Sequence, residues 1–316
     1  MILVTGATGF VGRHLTDKIT ARGLALRTAV RGASTAGAHS VVVGEIGPDT
    51  AWATALQAVE VVVHLAARVH VMRETAPDVL KAFRLVNVGG TERLAREAAR
   101  AGVRRLVFLS SVKVNGEATH GRPFRESDSP APSDPYGVSK HEAEAALARV
   151  SGATGLEMVV LRPPLVYGPG VGANFLRLMH WVDRGLPLPF GAVRNRRSLV
   201  HVGNLVDAVI ACTAAPQAAG ATFFVDDGEP VSTATLLSEL GAVLDRPARL
   251  FPVPPALLSG AAALLGRGAE AARLLGDLEV DSSLIRDRTG WRPRVTRADG
   301  LSACARWYRA SGGASG

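Results

Sequence analysis

The sequence predicts an α/β fold, a doubly wound parallel sheet with a second, smaller α/β domain toward the C-terminus. Three observations point there. Short β-branched runs alternate with helix-length amphipathic stretches through the first half of the chain, the pattern of a parallel sheet covered on both faces. The first of these runs leads directly into the glycine-rich turn Gly6-Ala7-Thr8-Gly9-Phe10-Val11-Gly12. After Arg162-Pro163-Pro164 the pattern changes to loops punctuated by proline and glycine, with shorter helices.

Taken in order, the predicted strands cover residues 2–5, 26–30, 40–43, 59–64, 105–110 and 156–161. Helices are expected at residues 11–21, 50–58, 77–101 and 135–150. Ser133 or Asp134 can cap the last of these, and Pro135 suits a first helical turn, where the missing amide donor costs nothing. The predicted sheet domain covers residues 1–164, and the chain returns to it at about 198–228. The smaller domain takes residues 165–197 and 229–316, a discontinuous unit placed to close the cleft at the carboxyl ends of the strands.

Composition excludes several classes. With 316 residues, 47% hydrophobic and 20% charged, the chain has none of the bias of a disordered or fibrous protein. Its net charge of +8 is supplied almost wholly by arginine, since Lys18, Lys81, Lys113 and Lys140 are the only lysines. The arginines are spread without a basic run or interleaved aromatics, which argues against nucleic acid as a partner. Without a basic leader, an apolar signal core or a stretch of spanning length, the cytoplasm is expected, with no membrane insertion. Cys212 and Cys304 lack metal-ligand spacing and read as buried thiols, so no metal is expected.

The glycine turn is where chemistry first enters. Glycines at 6, 9 and 12 between a strand and a helix let a pyrophosphate approach the helix's amide dipoles, which identifies a dinucleotide site. The second strand ends Thr28-Ala29-Val30-Arg31-Gly32. An acidic residue at that place holds both ribose hydroxyls of NAD, whereas an arginine accommodates a 2′-phosphate, so Arg31 favours NADP over NAD. Tyr136 and Lys140 are four residues apart on a predicted helix and therefore share a face, where an ammonium can make a phenol an acid or base near neutral pH. Ser111 ends the fifth strand, where a hydroxyl can orient a substrate oxygen, although a local backbone bond is the commoner fate of such a serine.

Together these motifs resemble the extended short-chain dehydrogenase/reductases, and within them the NAD-dependent epimerase/dehydratase group that acts on nucleotide sugars. The resemblance runs through His64-Leu65-Ala66-Ala67, Asn87-Val88-Gly89-Gly90-Thr91, Ser111, Tyr136 with Lys140, and Leu161-Arg162-Pro163-Pro164-Leu165-Val166-Tyr167-Gly168. It continues through Arg197-Ser198-Leu199-Val200-His201 to residues 281–291. It implies a Rossmann-like fold, a homodimer, and an NADP or NAD site. That site comprises Gly6, Thr8, Gly9, Phe10, Val11, Gly12, Arg31, Glu45, Ile46, Leu65, Ala66, Ala67, Asn87, Tyr136, Lys140 and Pro163.

By the same resemblance Ser111, Tyr136 and Lys140 are the catalytic residues, and Ser111, Lys113, Asn174, Arg197 and Arg273 face a nucleotide diphosphate sugar. Tyr136 would exchange a proton with the sugar's C4 oxygen while hydride moves between C4 and the nicotinamide. A positive charge about 4 Å away, at an effective dielectric near 20, supplies roughly 4 kcal/mol. That is about three pKa units, enough to bring a phenol from about 10 toward 7.

Departures narrow the activity. Val112-Lys113 replaces the Asp-Glu pair of family dehydratases, which excludes dehydration; Asn115 replaces a tyrosine and Leu165 an asparagine of the epimerases. The expected function is therefore an NADP-favouring nucleotide-sugar 4-ketoreductase of polysaccharide precursor synthesis. A UDP-sugar 4-epimerase and a non-catalytic dinucleotide sensor stand as alternatives.

Overall fold

The computed structural model describes residues 1–35, 37, 39–69 and 78–313. Seven parallel strands form the main sheet. They are β1 (Ile2–Thr5), β2 (Leu26–Val30), β3 (Ser40–Val42), β4 (Val61–His64), β5 (Arg105–Leu109), β6 (Glu157–Arg162) and β9 (Thr222–Phe224), in the order β3-β2-β1-β4-β5-β6-β9. The order reverses between β1 and β4, so their carboxyl ends open a crevice at the switch point of a Rossmann-like sheet.

Strand alternation assigns each side chain to a face. Val4, Val61, Val63, Val107, Val159 and Leu161 point to one face, covered by α1 (Phe10–Ala21), α7 (Val202–Ala214) and α11 (Ser283–Thr289). Leu3, Val62, Leu106, Phe108 and Val160 point to the other, covered by α2 (Ala53–Leu56), α4 (Thr91–Arg100) and α5 (Pro135–Thr154). Burial on both faces explains why these strands read as nearly continuous apolar runs.

The predicted helix at 50–58 shrinks to α2. Thr50 uses its hydroxyl on the Glu45 carbonyl at 2.9 Å and the Gly47 amide at 2.8 Å, and Ala58 has a positive φ of 57°. Within the predicted helix 77–101, α3 (Val79–Phe83) passes into a π-helical turn over Arg84–Gly90 before α4; Pro77 lies outside the described residues. The wide turn holds a bare Gly90 backbone against Ile46, whose Cγ2 would lie 2.6 Å from any Cβ there.

After β6 the chain adds β7 (Leu165–Tyr167) and α6 (Ala173–Asp183), then β8 (Leu199–His201). The sequence suggested that the chain rejoins the main sheet from residue 198. Instead β8 pairs with β7 in a separate two-stranded sheet, and only β9 extends the large one. A third core gathers Phe175, Leu178 and Met179 of α6, Leu237 and Leu240 of α8 (Thr233–Val243) and Leu301 and Tyr308 of α12 (Arg297–Ala310). Between α8 and α11 lie α9 (Pro255–Leu264) and α10 (Gly268–Leu275), whose residues are nowhere fully buried. Cys212 and Cys304 are buried free thiols, both pushed up to about 12 by burial.

Candidate active site

The glycine turn packs too tightly for side chains. Gly6 has φ 71°, and a Cβ there would sit 2.7 Å from the Ala66 amide; one on Gly12 would lie 2.1 Å from the Gly6 carbonyl. Gly9 caps α1 with an extended backbone and no side-chain bond, leaving the helix's first amides facing the crevice. The neighbouring loop after β4 is fixed by Thr5, whose Oγ1 accepts from the Ala66 amide at 3.2 Å and pairs with His64 Nδ1 at 2.7 Å. His64 Nε2 meets Thr91 Oγ1 at 2.9 Å, and burial lowers its pKa to about 3, so the ring is neutral. This Thr5–His64–Thr91 chain joins β1, β4 and α4 beneath Leu65, Ala66 and Ala67.

Asn87 is the second bracket. Buried in the π turn, it accepts from the Arg68 amide at 2.8 Å and donates to the Arg68 carbonyl at 3.0 Å and to Ser139 Oγ at 2.9 Å. Ser139 in turn donates to the Tyr136 carbonyl at 2.8 Å, so the crevice wall and the tyrosine helix are held by one network. Arg31, at the end of β2, has a side chain 75% exposed, with Nη1 3.6 Å from the Glu45 carboxylate. Pro163 follows β6 at the strand mouth, where its carbonyl accepts from the Val112 amide at 3.0 Å.

Asp134 caps α5, accepting from the Gly137 amide at 2.6 Å, with Pro135 in the first turn. That entrance sets Tyr136 beside the end of β5. Lys140, one turn on and 1% exposed, donates to the Leu109 carbonyl at 2.7 Å; its ammonium lies 4.3 Å from the Phe108 ring centroid and 6.0 Å from that of Tyr136. Burial lowers Lys140 to about 7, while burial and then the Asp134 charge raise Tyr136 above its ordinary value. The expected lowering of the phenol is therefore not achieved by the protein's own groups. Both groups lose water on burial, and that loss outweighs the attraction the Coulomb argument counted.

Behind this pair lies a buried ion pair. Glu144 receives Ser110 Oγ at 2.5 Å and Arg162 Nε at 3.0 Å, and Arg162 Nη1 donates to Asn115 Oδ1 at 2.9 Å. Asn115 thus completes a core network; nothing about its spacing in the sequence announced that.

A cavity of about 670 Å³ opens beside Tyr136, a volume that suits a small-molecule ligand. Ser111, Lys113, Tyr136, Asn174, Arg197 and Arg273 all line it, although they come from five separate segments. Ser111 caps the turn at 112–114, its Oγ accepting from the Lys113 amide at 3.3 Å. Arg197 is anchored through Nη1 to the Gly276 carbonyl at 2.9 Å, and burial lowers its pKa. Arg273 lies 3.5 Å from Glu117, and among the described residues its buried Nε has no hydrogen-bond partner. Asn174 accepts from Arg177 at 3.0 Å. Lys113 is already engaged, bonding Asp134 and, at 2.8 Å, Glu117. Glu117, Trp181 and Glu270 also line the cavity, and sequence reasoning missed them. Each sits in a loop or on a helix face that periodicity cannot orient.

The cradle at Gly6, Gly9 and Gly12, where close backbone packing leaves no room for a Cβ at 6 or 12 and no side chain covers the first amides of α1, fits a dinucleotide pyrophosphate. Among the described residues no His, Cys, Asp and Glu cluster could hold a metal ion, and no helix is long and apolar enough to cross a membrane.

Comparison with known proteins gives a consistent picture. The NAD dependent epimerase/dehydratase family matches over residues 2–225. A UDP-glucose 4-epimerase of Vibrio cholerae is 43% identical over 311 residues, covering 97% of this chain and 95% of that one. Among solved structures, MoeE5 in complex with UDP-glucuronic acid and NAD superposes with a TM-score of 0.79 at 25% identity, covering 98% of this chain and 99% of the other. The fold is shared with a UDP-glucose 4-epimerase of Thermotoga maritima, bound to UDP-glucose, at a TM-score of 0.78 and 22% identity over 98% and 99% of the two chains.

Proposed function

The chain belongs to the NAD dependent epimerase/dehydratase family, and from that premise we propose that it inverts C4 of a UDP-linked hexose as a 4-epimerase. The observation that carries this reading is the 43% identity to an epimerase along nearly the whole chain, together with a cavity that joins Ser111, Tyr136, Arg197 and Arg273. In it, residues 165–197 and 229–316 act as the substrate-binding part.

Gly6, Gly9 and Gly12 would admit the dinucleotide pyrophosphate, with Leu65, Ala66, Ala67 and Asn87 along the crevice. When bound, a nicotinamide supplies a hydride acceptor and donor, and its oxidised ring adds a positive charge. Tyr136 exchanges a proton with the C4 oxygen, Ser111 orients that oxygen, and Lys140 holds the tyrosine's surroundings from beneath. Arg197 and Arg273 reach the substrate diphosphate, and the unpartnered Nε of Arg273 suits an anion.

A second reading, a one-way 4-ketoreductase, is supported by Leu165 in the cavity lining, where the epimerases carry an asparagine, and by Arg31 at the ribose end. NAD goes with the epimerase, which regenerates its cofactor. NADPH goes with the reductase, which consumes it. One assay separates them. Interconversion of UDP-glucose and UDP-galactose without added reduced cofactor supports the epimerase; oxidation of NADPH only with a 4-keto sugar present replaces it by the reductase. Under the reductase reading Arg31→Glu lowers the ratio of NADP to NAD affinity, whereas an unchanged ratio removes Arg31 from cofactor choice.

A further inference from the structure

Helix α9 exposes an apolar stripe to solvent. Leu257, Ala261, Leu264 and Leu265 stand at i, i+4, i+7 and i+8, the spacing of one helix face. Here that face points outward: Leu257 is 64% exposed, Leu264 90% and Leu265 75%, and Phe251 just before the helix is 44% exposed. On the other side Leu258 and Ala262 are partly buried.

Along the sequence the charged residues nearest α9 are arginines. Residues 250–266 carry none, and between Asp245 and Glu270 the only charged residues are Arg246, Arg249 and Arg267. All three are exposed, and among the described residues none is held by an ion pair. An uncharged apolar helix bracketed by free arginines matches the interface of an anionic lipid surface, where leucines enter the acyl boundary and guanidinium groups stay with the phosphates. Its size argues against a second copy of the chain. A helix of 10 residues is roughly 15 Å long and about 10 Å wide, whereas a stable protein interface needs about 800 Å² per partner.

We propose that α9 and its flanking arginines dock the protein reversibly on anionic membrane surfaces, lying in the interface without spanning it. The position gives docking a consequence. Helix α10, joined to α9 by the short turn at 265–267, carries Glu270 and Arg273 into the wall of the candidate substrate cavity. The membrane-facing stripe therefore belongs to the same helical pair that covers the site.

The test is flotation of the full-length protein with vesicles of phosphatidylcholine alone and with an equal share of phosphatidylglycerol. At low salt, recovery with the anionic vesicles is expected to exceed that with neutral ones at least tenfold, and Leu264→Glu with Leu265→Glu is expected to abolish it. Neither leucine lines the cavity and both are exposed, so turnover in solution should be unchanged in that variant and certifies the fold. Arg267→Glu should weaken anionic binding and leave recovery with neutral vesicles unchanged. No flotation with anionic vesicles, or flotation indifferent to the leucine changes, overturns the proposal. So does concentration-dependent self-association that the same double substitution removes, which would assign the stripe to a second copy.

Discussion

The Lys140 ammonium lies 6.0 Å from the centre of the Tyr136 ring, and its hydrogen bond goes to the Leu109 carbonyl, 2.7 Å away. Lysine and tyrosine share a helix face, yet the lysine's direct partner is the sheet. It fixes the helix on the strand mouth and leaves the phenol's acidity to be set by what else enters the site. Burial first, and then the Asp134 charge, raise the Tyr136 phenol above its ordinary value and keep it protonated.

Removing the phenol tests this. In Tyr136→Phe turnover should fall about 10²- to 10⁴-fold, the usual worth of a positioned proton-transfer group, while the dissociation constant for NAD changes little. Steady-state kinetics beside cofactor titration by fluorescence decides it; wild-type turnover would remove Tyr136 from the chemistry. Asp134→Asn keeps a capping oxygen for Gly137 but deletes the charge that raises Tyr136. Its pH–rate profile should therefore move its rising limb to lower pH.

Burial of Lys140 makes stability depend on pH. Its folded pKa of about 7 lies below the ordinary lysine value of 10.5, so between those values the unfolded chain binds the extra proton. Stability contributed at this site therefore rises with pH across that window and is lowest below about 7. Between pH 7 and 9 the melting temperature of Lys140→Met should climb less steeply than that of the wild type. Equal slopes would show that the ammonium is solvated.

Gly12→Ala forces a Cβ to within 2.1 Å of the Gly6 carbonyl, a backbone atom that cannot step aside. Loss of NAD affinity by tenfold or more is expected with the sheet retained. Calorimetric titration against circular dichroism makes the comparison, and unaltered affinity would relocate the pyrophosphate.

Glu144→Gln leaves the Arg162 guanidinium without its buried counter-charge. Breaking such a pair typically costs about 3–5 kcal/mol, so urea unfolding should show a loss of that order. A loss under about 1 kcal/mol would mean that water reaches the pair.

The strands of the main sheet were legible because burial on both faces writes itself as short apolar runs, and the glycine turn because a tight turn tolerates so few residue types. Asn87 was found only through resemblance, and its reason for being there, a three-way bond to Arg68 and Ser139 across a π turn, has no local signature. The pairing of β8 with β7 was missed because two three-residue strands carry too little pattern to choose a partner.

Sequence alone determined the parallel sheet, the glycine turn after the first strand and the placing of Tyr136 and Lys140 on one helix face, since each follows from local spacing. Only the tertiary structure decided that Lys113 is paired with Asp134 and Glu117, that Arg273 and Glu117 meet 156 residues apart, and that the leucines of α9 face outward. Those outcomes depend on which surfaces meet when the layers pack. A linear pattern fixes the period of an element but not the neighbour it turns toward.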